Sequence, residues 1–138
     1  MIDLEERLQE AITSANLDLP TELYSGYLSG LDTPELRLML LPGSQTIEED
    51  MVGNKTRQFL AEVRMRDDDE SRIQDTLYKI ASFLDSEAFN LQSGNSSFTF
   101  TDLTITDFPH LIYADEGGKL IYTLDFSLTV DTYANGKD

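Results

Sequence analysis

The sequence predicts an α+β fold: a single mixed or antiparallel β-sheet of about four to five strands, packed against two α-helices and closed by a long C-terminal β-hairpin. From Asn95 to Thr132 apolar and polar residues alternate along two long runs joined by an acidic, glycine-containing corner. In the last run Leu120, Tyr122, Leu124, Phe126, Leu128 and Val130 share one parity, and Ile121, Thr123, Asp125, Ser127, Thr129 and Asp131 share the other. That period of two marks a strand with one buried face. Two other segments repeat with helical spacing instead, which supplies the second layer.

Along the chain, Leu4, Leu8, Ala11, Ile12 and Ala15 form an apolar stripe on a first helix running from Ile2 to Ala15. Its acids Asp3, Glu5 and Glu6 lie at the positive end of the helix dipole. Pro20, Gly26, Gly30 and Pro34 interrupt the next stretch, which reads as an ordered loop with room for one helical turn. The run Leu36 to Leu41, closed by Pro42-Gly43, predicts a strand. Residues 44–55 show no period, hold three adjacent acids and two isolated apolar residues, Ile47 and Met51, and read as a long mobile loop.

A neighbouring strand is expected from Thr56 to Arg66, with Phe59, Ala61, Val63 and Met65 on its core side. Asp67-Asp68-Asp69-Glu70 then supply an N-cap and first-turn acids to a second helix, whose stripe is Ile73, Leu77, Ile80, Ala81 and Leu84 and which ends near Ser86. Phe98 and Phe100 share one parity and Leu103 and Ile105 the other, so a β-bulge is expected near Thr101-Asp102. Ile112 and Tyr113 extend this strand, the corner Asp115-Glu116-Gly117-Gly118 favours an antiparallel hairpin, and residues 133–138 read as a flexible tail.

The 138 residues, 40% of them hydrophobic, suit one domain spanning 1–138. Ten Lys and Arg against 26 Asp and Glu give a net charge of −16, which repels nucleic acid and anionic membranes. No cysteine is present, so disulfides, thiolate metal sites and cysteine nucleophiles are excluded. The first residues carry acids where a signal peptide needs basic ones, and no apolar run approaches the length of a membrane span, about 18 residues.

Catalytic chemistry finds little support. A calcium loop counted from Asp67 would need Gly and Glu where Arg72 and Tyr78 stand, so the acid run reads as a helix start. His110 has no second His or Cys for zinc and no nucleophile-elbow motif beside it. Asp125 and Asp131 share a strand face but lie about 20 Å apart, too far to act as paired carboxylates. Gly117-Gly118-Lys119 sits in a hairpin corner and not before a helix, so it does not cradle phosphate. Asn95-Ser96-Ser97 and Asn54-Lys55-Thr56 match glycosylation acceptors, and since secretion is not expected they read as chance matches. No enzyme activity, cofactor or metal is expected.

Lys55, Arg57, Arg64 and Arg66 form the one locally basic segment. They read either as ion-paired across the sheet to acids such as Asp125 or as a basic edge meeting the acidic surface of another copy. A high negative charge also fits a DNA-mimicking inhibitor, with net charge as its sole support.

Several short pieces together resemble the minor capsid or tail-terminator proteins of long-tailed bacteriophages: Tyr24-Ser25-Gly26, Leu41-Pro42-Gly43, Val63-Arg64-Met65-Arg66 before a helix, Ser97-Phe98-Thr99-Phe100, Phe108-Pro109 and Tyr122-Thr123-Leu124-Asp125-Phe126. The resemblance covers nearly the whole chain. It implies a structural virion subunit, assembled in the host cytoplasm, that forms a hexameric ring at the head-proximal end of the tail. Such a ring caps the tail tube, stops its polymerisation and offers a surface for head joining; another head-tail connector is the nearest alternative. The partners implied are further copies of the chain, the tail tube protein and a head completion or connector protein, with DNA passing through without specific binding. On that picture Ile47, Glu48, Glu49, Asp50 and Met51 are candidates for tube contact, and Leu60, Arg64, Arg66 and Ile121 for contact between subunits.

Overall fold

A computed structural model describes residues 3–30, 33–42, 45–87, 89–94 and 98–133. The elements in chain order are α1 (Leu4–Ser14), β1 (Leu23–Ser25), β2 (Glu35–Leu40), β3 (Gln45–Glu49), β4 (Lys55–Asp67), α2 (Glu70–Leu84), β5 (Phe98–Ala114) and β6 (Leu120–Thr132). The remainder of the expected tail, 134–138, the start of the expected loop at Ser44 and the acceptor-like Asn95-Ser96-Ser97 fall outside the described residues.

The alternating C-terminal run becomes β6, an inner strand of a six-stranded mixed sheet ordered β1-β2-β4-β6-β5, with β3 also on β4. β6 pairs antiparallel with β4 along its whole length, from Leu120 opposite Asp67 to Thr132 opposite Lys55. Its other edge pairs antiparallel with β5. β4, α2 and β5 therefore make a split β-α-β unit with β6 inserted between its two strands. The expected bulge is present, since the β5 register slips between Phe100 and Asp102. Three further slips follow before Tyr113, and they coil this 17-residue strand.

Both helices cover one face. Leu4, Leu8 and Ile12 of α1 and Ile73, Leu77, Ile80, Ala81 and Leu84 of α2 join one core cluster with Leu36, Leu38, Phe59, Ala61, Val63 and Met65 and with the even residues of β6 from Tyr122 to Val130. The acid run starts α2 as expected. Asp69 is the N-cap, its carboxylate accepting from the Arg72 backbone N–H, and Asp67 is fully buried beneath the first turn.

Two expectations need correction. The stretch from Leu17 to Pro34 contains a strand, β1, and no helix among its described residues. Leu23, Tyr24 and Ser25 run parallel to Leu36, Arg37 and Leu38, and the Gly26 N–H donates to the Leu38 carbonyl at 2.9 Å. Three residues are too few to show a period, and the parallel partner comes from beyond a proline-containing turn. The expected mobile loop at 44–55 is mostly a β-hairpin, because β3 pairs antiparallel with β4. A bulge between Thr46 and Glu48 breaks the alternation that would otherwise have marked β3 as a strand.

Candidate assembly surface

The sheet face opposite the helices carries charge in lateral rows. One row runs Met39, Glu62, Asp125, Asp107, and the next Arg37, Arg64, Thr123, His110. Ion pairs within the chain take up two members of the basic segment, Arg64 with Glu62 and Arg66 with Asp115 at 3.1 Å, and on the neighbouring strand Arg37 pairs with Glu35 at 3.0 Å. Asp125 is not the partner expected from the sequence. It faces Glu62 directly across the strands and accepts from the Thr123 hydroxyl at 2.9 Å.

Glu62 is only 5% exposed. Its burial pushes the carboxyl above the ordinary value of 4.5; Arg64 offsets part of that and Asp125 adds to it. Folding therefore disfavours the ionised form, fully so above the folded pKa and not at all below about 4.5. Glu62→Gln is accordingly expected to raise stability at pH 7 in urea unfolding, and the gain should vanish as pH falls to 4.5 and below. A variant destabilised at pH 7, with the deficit shrinking as pH falls, would show instead that the Arg64 pair dominates.

The two hairpins project from opposite ends of the sheet and use the same turn. In β3–β4 the Asp50 carboxylate accepts from the backbone N–H of Val52 at 3.0 Å and of Asn54 at 2.9 Å. In β5–β6 the Asp115 carboxylate accepts from Gly117 at 3.0 Å and Lys119 at 2.8 Å. Each turn is closed by Asp50 or Asp115 donating its N–H to the carbonyl four residues on, and by a glycine N–H three residues on donating back. Those glycines, Gly53 and Gly118, have φ of 89° and 85°, a conformation that favours glycine. The Lys119 N–H, then Arg66, hold the Asp115 carboxyl below its ordinary range. At Asp50, desolvation pushes upward but is outweighed by the Asn54 and Val52 N–H groups, and the carboxyl again titrates low. The tips differ in chemistry: Met51 and Val52 stand exposed on one, Glu116 and Gly117 on the other.

Apart from Leu60 and Tyr133, the exposed large apolar side chains of the described residues gather at three places. At the β3–β4 end are Ile47, Met51 and Val52; at the β1 edge, Tyr24 and Tyr27; at the distal half of β5, Phe108, Leu111, Ile112 and Tyr113, with Tyr78 of α2 stacked on Phe108 at 6.5 Å. Of the residues proposed from the sequence, Ile47, Glu48, Glu49, Asp50 and Met51 lie together on the β3–β4 hairpin, all exposed. Leu60 is 42% exposed in mid-strand on the helix-free face. Ile121 is half-buried between Arg66 and Tyr113. The two edge groups were missed by sequence reasoning; the signal available was that Leu23 to Gly30 and Phe108 to Ala114 contain no Asp, Glu, Lys or Arg in a chain that is 26% charged. Among the described residues no three His, Asp or Glu are placed to hold a metal ion, and no helix is long and apolar enough to cross a membrane.

In structure, the chain resembles a chain solved in the "Virion of native gene transfer agent (GTA) particle", with a TM-score of 0.65 and 13% identity over 93% of this chain and 94% of that one. At that identity the likeness is one of fold. The search of curated protein sequences gives no match. A family model described as "Bacteriophage tail terminator protein" matches residues 14–132. That span takes in every strand, α2 and all three exposed apolar groups, and the chain belongs to the bacteriophage tail terminator family, a family of structural virion proteins.

Proposed function

We propose that the protein closes into a hexameric ring on the end of the tail tube, halts tube polymerisation and presents its other side for joining to the head. The observation that carries this reading, beyond family membership, is the pair of oppositely directed hairpins with unlike tips. A terminator needs two different axial faces. The β3–β4 tip, with Met51 and Val52 exposed on a turn braced by Asp50, offers apolar anchors in a pre-ordered loop, the chemistry of a stable protein contact. We assign it to the tube, with Ile47, Glu48 and Glu49 as its flank. The Asp115–Lys119 tip is polar and suits the head-side contact. Acidic side chains facing the central passage would repel DNA in transit.

The double variant Met51→Asp, Val52→Asp tests the assignment. It is expected to fold and self-associate as wild type but to leave tail tubes overlong and without heads in electron micrographs. Tubes of normal length that fail to join heads would assign the protein to head–tail joining alone. Normal tails with heads attached would remove the tip from the tube contact.

A further inference from the structure

A ring requires two unlike patches that meet between successive copies, a heterologous contact. Resting on the ring reading above, we propose where they are: the β5 patch of Phe108, Leu111, Ile112 and Tyr113 on one copy packs against the Tyr24–Tyr27 edge of the next.

Position supports this first. β1 and β5 are the two ends of the strand order β1-β2-β4-β6-β5, so their exposed groups lie at opposite edges of the subunit. Charge supports it second. Copies at −16 repel one another and close most readily where neither surface is charged. Neither Leu23 to Gly30 nor Phe108 to Ala114 holds an Asp, Glu, Lys or Arg, and beside Tyr24 charge is confined to Arg37, ion-paired with Glu35, and Glu22 at the Tyr24 hydroxyl.

Both groups are also pre-ordered, which lowers the entropy lost on docking. The Arg37 guanidinium lies 4.9 Å from the centre of the Tyr24 ring, and the Tyr24 hydroxyl donates to Glu22 at 2.8 Å. Tyr27, 80% exposed, is carried on a loop pinned by buried Glu35, which accepts from the Ser29 and Gly30 N–H groups at 2.7 and 3.0 Å. On the other side, Phe108 is held by its stack on Tyr78.

The contact is made by side chains and not by continuing the sheet from copy to copy. Pro109 lacks an N–H, and repeated register slips bend this part of β5. At the other edge the Gln9 amide already donates to the Leu23 carbonyl at 2.8 Å. Both edges are thus blunted against strand addition while their aromatic side chains stay available.

The test uses two full-length variants, Phe108→Ser with Tyr113→Glu, and Tyr27→Glu, each compared with wild type by sedimentation over a concentration series and on purified tube ends. All altered residues are exposed, so unfolding midpoints serve as a check on folding; should either glutamate disturb the fold, Tyr113→Ser and Tyr27→Ser replace it. Each variant alone is expected to assemble on the order of 30-fold more weakly. Mixed in equal amounts they should form heterodimers and stop there, because one intact patch of each kind remains per pair. Rings that persist in either variant would overturn the edge assignment while leaving the ring intact. Wild type that stays monomeric on tube ends would overturn the ring and this interface with it. Failure of the mixture to pair would replace the head-to-tail contact with a self-complementary one.

Discussion

Phe126→Ala is expected to lower the unfolding free energy by about 3–5 kcal/mol and the melting temperature by about 10–20 °C. Phe126 is the largest of the fully buried side chains and sits on β6, the strand to which both halves of the split β-α-β unit are joined. Across the sheet its row reads Ile105, Phe126, Ala61, Leu40. Ala61, also buried, is the small neighbour that leaves room for the ring, so the two positions fill one space between them. Removing the ring opens a cavity bounded by strands on both sides, which can collapse little. A loss of this size is a large share of the roughly 5–15 kcal/mol that holds a domain folded. Phe126→Leu should retain most of the stability, at a cost of about 1–2 kcal/mol. Thr129→Ala, on the other face of the same strand, should stay within about 0.5 kcal/mol. Urea titration with an unchanged slope measures all three; a Phe126→Ala cost below that of Phe126→Leu would show that the ring is not packed against Ala61.

What made β6 legible is the same physics that makes Phe126 costly to lose. One buried face imposes a period of two, and the even residues from Tyr122 to Val130 are indeed in the core. Its position among the strands is not written in that period. Thr123 and Ser127 are polar by residue type yet buried, because paired strands on both sides let long neighbouring side chains cover them. The phase change between Phe100 and Leu103 predicted the bulge, since a bulge shifts parity. β1 and β3 were not legible, being short, and β3 bulged at its centre. A local clue to β3 was nevertheless present: Asp50-Met51-Val52-Gly53-Asn54 places Asp and Gly as Asp115-Glu116-Gly117-Gly118-Lys119 does, and the two form one turn. The assembly surface was half legible for a similar reason. Ile47 and Met51 stood out as apolar residues among acids, whereas Tyr24, Tyr27 and Tyr113 gain meaning only when the strand order puts β1 and β5 at the edges. Arg64 and Arg66 were visible as a basic run, but their partners Glu62 and Asp115 depend on side-chain geometry on a twisted sheet.

Asp67→Ala is expected to lower stability by about 2–3 kcal/mol at pH 7, with a pH dependence that separates the lost charge from lost packing. Asp67 ends β4 and is fully buried. Its carboxylate accepts from the Arg72 guanidinium through two nitrogens, one at 2.7 Å, and from the Asp68 N–H at 2.7 Å. It thereby ties the last residue of the strand to the first turn of α2. The Arg72 side chain is 41% exposed, so the variant leaves a solvated cation and not a stranded one, which keeps the loss below that of a fully buried pair. Burial works to raise the carboxyl's pKa, but the hydrogen bonds from Arg72 and Asp68 outweigh it and hold it below its ordinary 3.8. The unfolded chain therefore takes up the proton first as the solution is acidified. The contribution is whole above about pH 3.8 and disappears as pH falls through the lower, folded value. The gap between wild type and Asp67→Ala in urea unfolding should accordingly be constant from pH 5 to 7 and narrow below about 3.8, and Asp67→Asn should show the same narrowing from a smaller gap. A gap unchanged at acid pH would mean that the carboxylate's hydrogen bonds to Arg72 and Asp68 contribute no charge-dependent stability, and that the junction is held by packing beneath α2.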